Sequence, residues 1–190
     1  MPFTLLHYSI AYALHRGEKR FPLPALAVGS VFPDIEVPFL AVFFSGIVPD
    51  HFILHSLVGG LTLGTIGAVL TTRFIYPSVI SLLFGIEEER LKEACSISPM
   101  MVSSCIIGIV GHILLDYPMH WYNAIFWPWV EPTNVIGPFV LYFSSVGQIP
   151  GAAFTLANGT TNLFMLLIFV YIMAHEWGNR WENIWVGEKQ

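Results

Sequence analysis

Charge is what this chain has least of. Asp, Glu, Lys and Arg together make up 11% of its 190 residues, where an ordinary soluble domain carries roughly 25%. The eight Lys and Arg are scattered, form no basic stripe and leave a net charge of -5, which argues against nucleic acid as a partner. Cysteine is almost absent. Cys95 and Cys105 share no C-x-x-C spacing and lie in or beside an apolar run, so they read as small apolar fillers, not as a disulfide or zinc knuckle. A basic leader is missing too. Met1-Pro2-Phe3-Thr4 has no cationic start and His7 interrupts the apolar stretch, so no cleavable signal peptide is expected. What fills the chain instead is hydrocarbon: 55% of residues are hydrophobic and the mean hydropathy is +0.66. An integral membrane protein of one domain, residues 1–190, is the expectation.

The apolar runs differ in length. Residues 2–15, 25–32 and 37–48 are each shorter than the ~20 residues that cross a bilayer upright. Arg16 to Arg20, Pro33-Asp34 and Pro49-Asp50 close them, so they read as tilted, broken or partly buried helices. The run from His51 to Thr72 is firmer, with Arg73 ending it and Gly60-xxx-Gly64 offering a close approach to another helix. Residues 74–86, broken by Pro77, suggest a short or re-entrant helix. The charged patch from Glu87 to Glu93 reads as a solvated loop or surface helical turn. Residues 97–116 and 162–177 are clear spans, and residues 135–157 form an irregular or broken helix. Trp121, Tyr122, Trp127 and Trp129 form a proline-broken aromatic belt, which suits the headgroup level. The tail from Trp181 to Gln190 reads as short, amphipathic and interfacial. Together these give an all-α, polytopic membrane bundle with about five membrane-embedded segments, some short or broken.

Against that background the histidines stand out. His112, Asp116 and His120 fall at i, i+4 and i+8, so a helix carrying all three lines them up on one face. His51 and His55 repeat the i, i+4 spacing on what reads as a second apolar helix. Imidazoles and carboxylates are expensive in a bilayer without a partner. Basic residues near membrane ends stay cytoplasmic; Arg16 to Arg20, Arg73, Arg90, Lys92 and Arg180 are the anchors. Running the chain between them delivers His7, Asp34, Glu36, His51, His55, His112, Asp116 and His120 to the non-cytoplasmic half. His15 and His175 fall near the opposite ends and read as interfacial.

A set of four or five His with two or three carboxylates has ligands enough for one to three divalent metal ions, zinc foremost. Bound metal lowers the pKa of its water toward ~7, and clustered ions suit phosphoester hydrolysis. His7, Asp34, His51, His55, His112, Asp116 and His120 are the candidate ligands. Asp34 and Glu36 are the candidate catalytic carboxylates, with Asp50 and Glu36 also readable as supporting groups behind the ligands.

Several of these motifs resemble a known family. Met1-Pro2-Phe3-Thr4 with His7, Ala27-Val28-Gly29-Ser30-Val31-Phe32-Pro33-Asp34-Ile35-Glu36, His51-x-x-x-His55-Ser56 and Gly111-His112-x-x-x-Asp116 are similar to the membrane-bound metal-dependent hydrolases of the YdjM-like type, over roughly residues 1–130. The stretch from His112 to His120 also resembles the metal-binding helix of soluble zinc-dependent phospholipases C, where the aspartate-to-histidine spacing is longer. The resemblance implies a mainly helical fold in a prokaryotic cytoplasmic membrane. It implies His7, Asp34, His51, His55, His112 and Asp116 as metal ligands, and a phosphoester as the bond cleaved. Phe52 stands where many relatives carry a basic residue.

The favoured function is therefore metal-dependent hydrolysis of a phosphoester in a membrane lipid or lipid-linked substrate. Two rivals use the same groups: a transporter relaying protons or passing divalent cations, and a scaffold whose metal is structural. Internal repeats of the kind common in transporters are not evident beyond the repeated i, i+4 spacing.

Overall fold

The computed structural model describes residues 4–146, 151–176 and 181–187. The described residues are all helical or loop, with no strand among them. A 3-10 turn over Thr4–His7 leads into α1 (Tyr8–Gly17), and four long helices follow: α2 (Leu23–Phe43), α3 (Leu57–Phe84), α5 (Pro99–Met119) and α7 (Ala152–Glu176). Between them lie the surface helix α4 (Glu88–Ala94) and α6 (Pro138–Val146), and α8 (Asn183–Val186) closes the chain. Each of the four long helices is long and apolar enough to cross a membrane. Leu63, Leu82 and Leu83 on α3, and Leu163, Phe164 and Leu167 on α7, present their side chains outward. So much exposed hydrocarbon is the surface of a protein solvated by lipid. The molecule is an all-α integral membrane bundle of about five segments, α1 being a half-length partner to the four spans.

Two junctions differ from the sequence expectation. The runs 25–32 and 37–48 do not stop at Pro33-Asp34 but join into α2, 21 residues long. Pro33 has no N–H to give, and the helix passes it by tightening into a 3-10 turn over Phe32–Ile35. Likewise Arg73 and Pro77 do not end α3, which continues for 28 residues to Phe84. It widens into π-helical turns at Gly60–Gly64 and Thr71–Ile75. The second of these precedes Pro77, so the donor missing there is absorbed by a wider turn. Arg73 stays on the helix and donates to the Lys92 carbonyl at 3.2 Å. The last span likewise begins at Ala152, ten residues before the expected start, while Trp177, Arg180 and residues 188–190 lie outside the described residues.

α2 and α5 form the central seam. A Cβ on Gly29 would come within 2.4 Å of the Cys105 carbonyl oxygen, and one on Gly108 within 2.5 Å of the Leu26 carbonyl oxygen. Only glycine lets these two backbones meet so closely. Gly60 and Gly64 of α3 face Ile109 and Ile113 of α5, and Ala25, Val28, Ala68, Met101 and Cys105 complete the core between the three helices. Both thiols are buried, and burial pushes the Cys95 thiol up to about 12, which leaves it an inert packing group. The described part of the tail packs back onto the bundle. Ile184 is fully buried, Trp185 stacks on Phe84 with ring centroids 3.9 Å apart, and the Tyr76 hydroxyl donates to the Trp185 carbonyl at 2.7 Å.

Candidate metal centre

Two glutamate-and-serine devices shape the loop that precedes α3. Ser56 caps the helix, its Oγ accepting from the Gly59 N–H at 2.9 Å. His51 and His55 therefore lie in the loop before α3, not on a helix. Glu36 of α2 holds that loop in shape. Its carboxylate accepts from the Phe52 and Leu54 backbone N–H groups and from His55 Nδ1, each at 2.7 Å. With both oxygens committed to these three donors, Glu36 supports the His55 ring at its Nδ1. His120 also leaves the helical line: α5 tightens into a 3-10 turn at Tyr117–Met119, and His120 is extended. The helix of three in-line ligands is thus replaced by helix, turn and loop.

The ligand candidates nevertheless meet. Asp34, His55, His112 and Asp116 each bring one ligand atom into a group whose atoms lie within 4.8 Å of one another, and His51, Asp116 and His120 form a second such group. Asp116 belongs to both. Its Oδ2 lies 3.5 Å from His112 Nε2, 3.7 Å from His55 Nε2 and 3.9 Å from His51 Nε2. Asp34 Oδ1 stands 3.4 Å from both His55 Nε2 and His112 Nε2. His7 joins at the edge, its Nε2 3.2 Å from Asp116 Oδ1 and its ring stacked on His112 at 4.1 Å. All seven are buried.

What distinguishes the cluster is the direction of its lone pairs. Every histidine has its Nδ1 beside an acceptor: the Thr4 carbonyl for His7, Asp50 for His51, Glu36 for His55, the Ser30 carbonyl for His112 and the Asp116 carbonyl for His120. Those partners assign the N–H to Nδ1, so in the neutral ring each Nε2 carries a lone pair. His55 Nε2 and His112 Nε2 then face each other at 3.1 Å, acceptor to acceptor. His51 Nε2, His120 Nε2 and Asp116 Oδ2 are buried with no hydrogen-bond partner. Such an arrangement is repulsive unless a proton or a cation sits among the lone pairs. The outer acceptors are those that orient metal-binding imidazoles elsewhere.

A proton on one of the rings relieves that repulsion as a cation does. Burial alone would depress His55, but the hydrogen bonds to Asp34 and Glu36 outweigh it and push its pKa up to about 9. His120 goes the other way, held below its ordinary value chiefly by burial. Behind His51, the Asp50 carboxyl is held down by its hydrogen bond with His51 and by one from the Tyr122 hydroxyl. Tyr122 is the residue the sequence did not single out, because beside Trp121 it reads as part of the aromatic belt. His15 bonds the Phe21 carbonyl at 2.9 Å and His175 stacks on Tyr171; neither belongs to the cluster.

The residues present fit a cation on three counts: mixed imidazole and carboxylate donors, orphaned acceptor atoms and fixed outer partners. The donor set could hold one ion among Asp34, His55, His112 and Asp116, and another among His51, Asp116 and His120.

Over residues 1–185 the chain matches the profile of a domain of unknown function, DUF4184, and it belongs to that family. No curated protein and no solved structure matches it.

Proposed function

We propose that this membrane-embedded cluster binds one to three divalent ions, zinc foremost, and that the chain hydrolyses a phosphoester of a lipid or lipid-linked substrate. The observation that carries the reading is the convergence of imidazole Nε2 atoms on two buried carboxylates, with no Lys or Arg side chain in either ligand group among the described residues. Nitrogen and carboxylate donors in this mixture suit zinc. When bound, such ions supply a hydroxide near neutral pH and neutralise charge on phosphoester oxygens.

The chain's own residues divide the remaining work. Glu36, Asp50, the Ser30 carbonyl and the Asp116 carbonyl fix the rings of His55, His51, His112 and His120. Asp116 ties the two halves of the cluster together. Asp34 has one oxygen on His55 and His112, and as a carboxylate at the edge of the cluster it is placed to accept a proton from water. The likeness of the motifs to YdjM-like membrane hydrolases supports the same chemistry. Arg16, Arg73 and Arg90 lie away from the cluster, so the charge rule favours the non-cytoplasmic half of a prokaryotic membrane for the site.

The test is elemental analysis of the purified chain, with a screen of phospholipids and lipid phosphates before and after chelation, and His55→Ala as control. The expected result is bound metal near stoichiometry and hydrolysis abolished both by chelation and by His55→Ala. A sample with no metal above background, indifferent to chelator, would overturn the reading. Metal-dependent flux into liposomes without hydrolysis would replace it with transport.

A further inference from the structure

The cluster opens in two directions of very different size. Toward the loop over His51 and His120, roofed by Tyr122, Asn123 and Ile125, the cavity is about 10 Å³, room for about one water. Toward the flank of α2 lies a groove of about 370 Å³ that reaches Asp34. Thr4, Asp34 and Thr71 are its polar members, and Val28, Val31 and Phe32 supply much of the rest. Val28 and Val31 also line a second cavity of about 310 Å³, bounded by Tyr8, Tyr76, Phe84 and Trp185. The two hydroxyls there are turned to backbone, Tyr8 to the Ile184 carbonyl and Tyr76 to the Trp185 carbonyl. That second cavity is therefore hydrocarbon and aromatic ring only.

We infer that this two-part groove seats a single hydrocarbon chain of a phosphate-bearing lipid, with the polar head at Asp34 and the tail running back along α2 past Val31 and Val28. The inference rests on the hydrolase reading for the identity of the head. Its occupant follows from the polarity gradient: carboxylate and hydroxyls at one end, apolar walls at the other, the two cavities meeting at Val28 and Val31. Asp34 and Ala27 are seven residues apart on α2, a rise of roughly 10 Å. Each of these two cavities is more than thirty times the size of the loop-side one. The path is a single lane, because Phe32 fills the gap between α2 and α3. A Cβ on Gly67 would fall 2.2 Å from the end of its ring. The loop-side opening admits about one water, so the groove along α2 is the wider approach to Asp34.

The experiment uses the full chain in lipid nanodiscs with a long-chain alkyl phosphate carrying a photoreactive group in its tail. Labelling is expected to concentrate on the α2 segment around Val28 and Val31 and on the α3 segment around Tyr76. Val31→Trp, which blocks the lane, is expected to reduce that labelling on the order of tenfold. It should lower the ratio of long-chain to short soluble phosphoester turnover by a similar factor. Leu167→Trp, on the lipid-facing side of α7, should change neither. Metal content reports whether each variant has folded, and labelling of the unmodified protein needs no variant. Labels spread evenly over the outer faces of α3 and α7, or an unchanged ratio in a metal-loaded Val31→Trp, overturn the inference. Groove labelling without hydrolysis of any phosphoester upholds the chain site and overturns the hydrolase reading alone.

Discussion

At the basic end of the bundle Arg16 stands 3.8 Å from Glu176, Arg90 pairs with Glu182, and Lys92 reaches Glu88 and Glu89 at 3.3 and 2.9 Å. At the other end five imidazoles surround Asp34 and Asp116, and among the described residues no Lys or Arg joins them. Both ends gather charge, but the first contains its own counter-charges and the second does not. Exposed pairs such as Lys92 with Glu89 are worth little and can be exchanged freely. Buried acceptors facing acceptors cannot persist without a positive centre. The difference marks the second end as the one whose donors could hold a cation.

The sharpest way to break this contrast is Asp116→Ala, since that carboxylate belongs to both ligand groups. It is expected to abolish bound metal and to cost activity beyond the roughly 100-fold that loss of an outer partner brings. Arg90→Ala at the other end should leave metal content unchanged; elemental analysis of the pair reads both. Next in size is Glu36→Gln, which keeps the shape behind His55 but removes the charge. Metal affinity should fall about 10–100-fold in a competition titration with a chelating dye.

A smaller effect comes with pH. His55 is raised from its ordinary value to about 9, so its proton stabilises the metal-free protein fully below about 6.5, and that contribution is lost as pH climbs through 9. Metal competes with the same proton, so metal affinity should rise over the same interval. Melting temperatures of chelated and loaded protein should therefore draw apart between pH 6.5 and 9, the chelated one falling. Lys92→Ala closes the series: melting temperature and metal content should both stay within error of the parent.

The residue types of the centre were legible because imidazoles and carboxylates are conspicuous in an apolar chain. Their local geometry was not. The i, i+4 spacing of His51 and His55 suggests a helix, yet Ser56 is the cap, and its own position just before the apolar run was the available signal. Proline was over-read as a terminator: α2 and α3 pass Pro33 and Pro77 by narrowing in one case and widening in the other. Such turns depend on neighbours that donate to the freed carbonyls, as His112 Nδ1 does to the Ser30 carbonyl. The role of Glu36 depends on where the Phe52 and Leu54 amides point, which no pattern in the chain encodes. The groove was invisible for the same reason, being assembled from ordinary apolar residues of segments far apart in sequence.

That the ligand atoms come from residues 7 to 120, with His7 and Asp116 meeting across 109 positions, bears on how the protein is made. No early portion of the chain carries the whole donor set, because the last contributors arrive only with α5 and the turn that follows it. α7, inserted afterwards, adds none of the donors. A chain truncated after His120 is thus the shortest nascent form that carries every donor of the cluster, and the final helix is not needed to supply one.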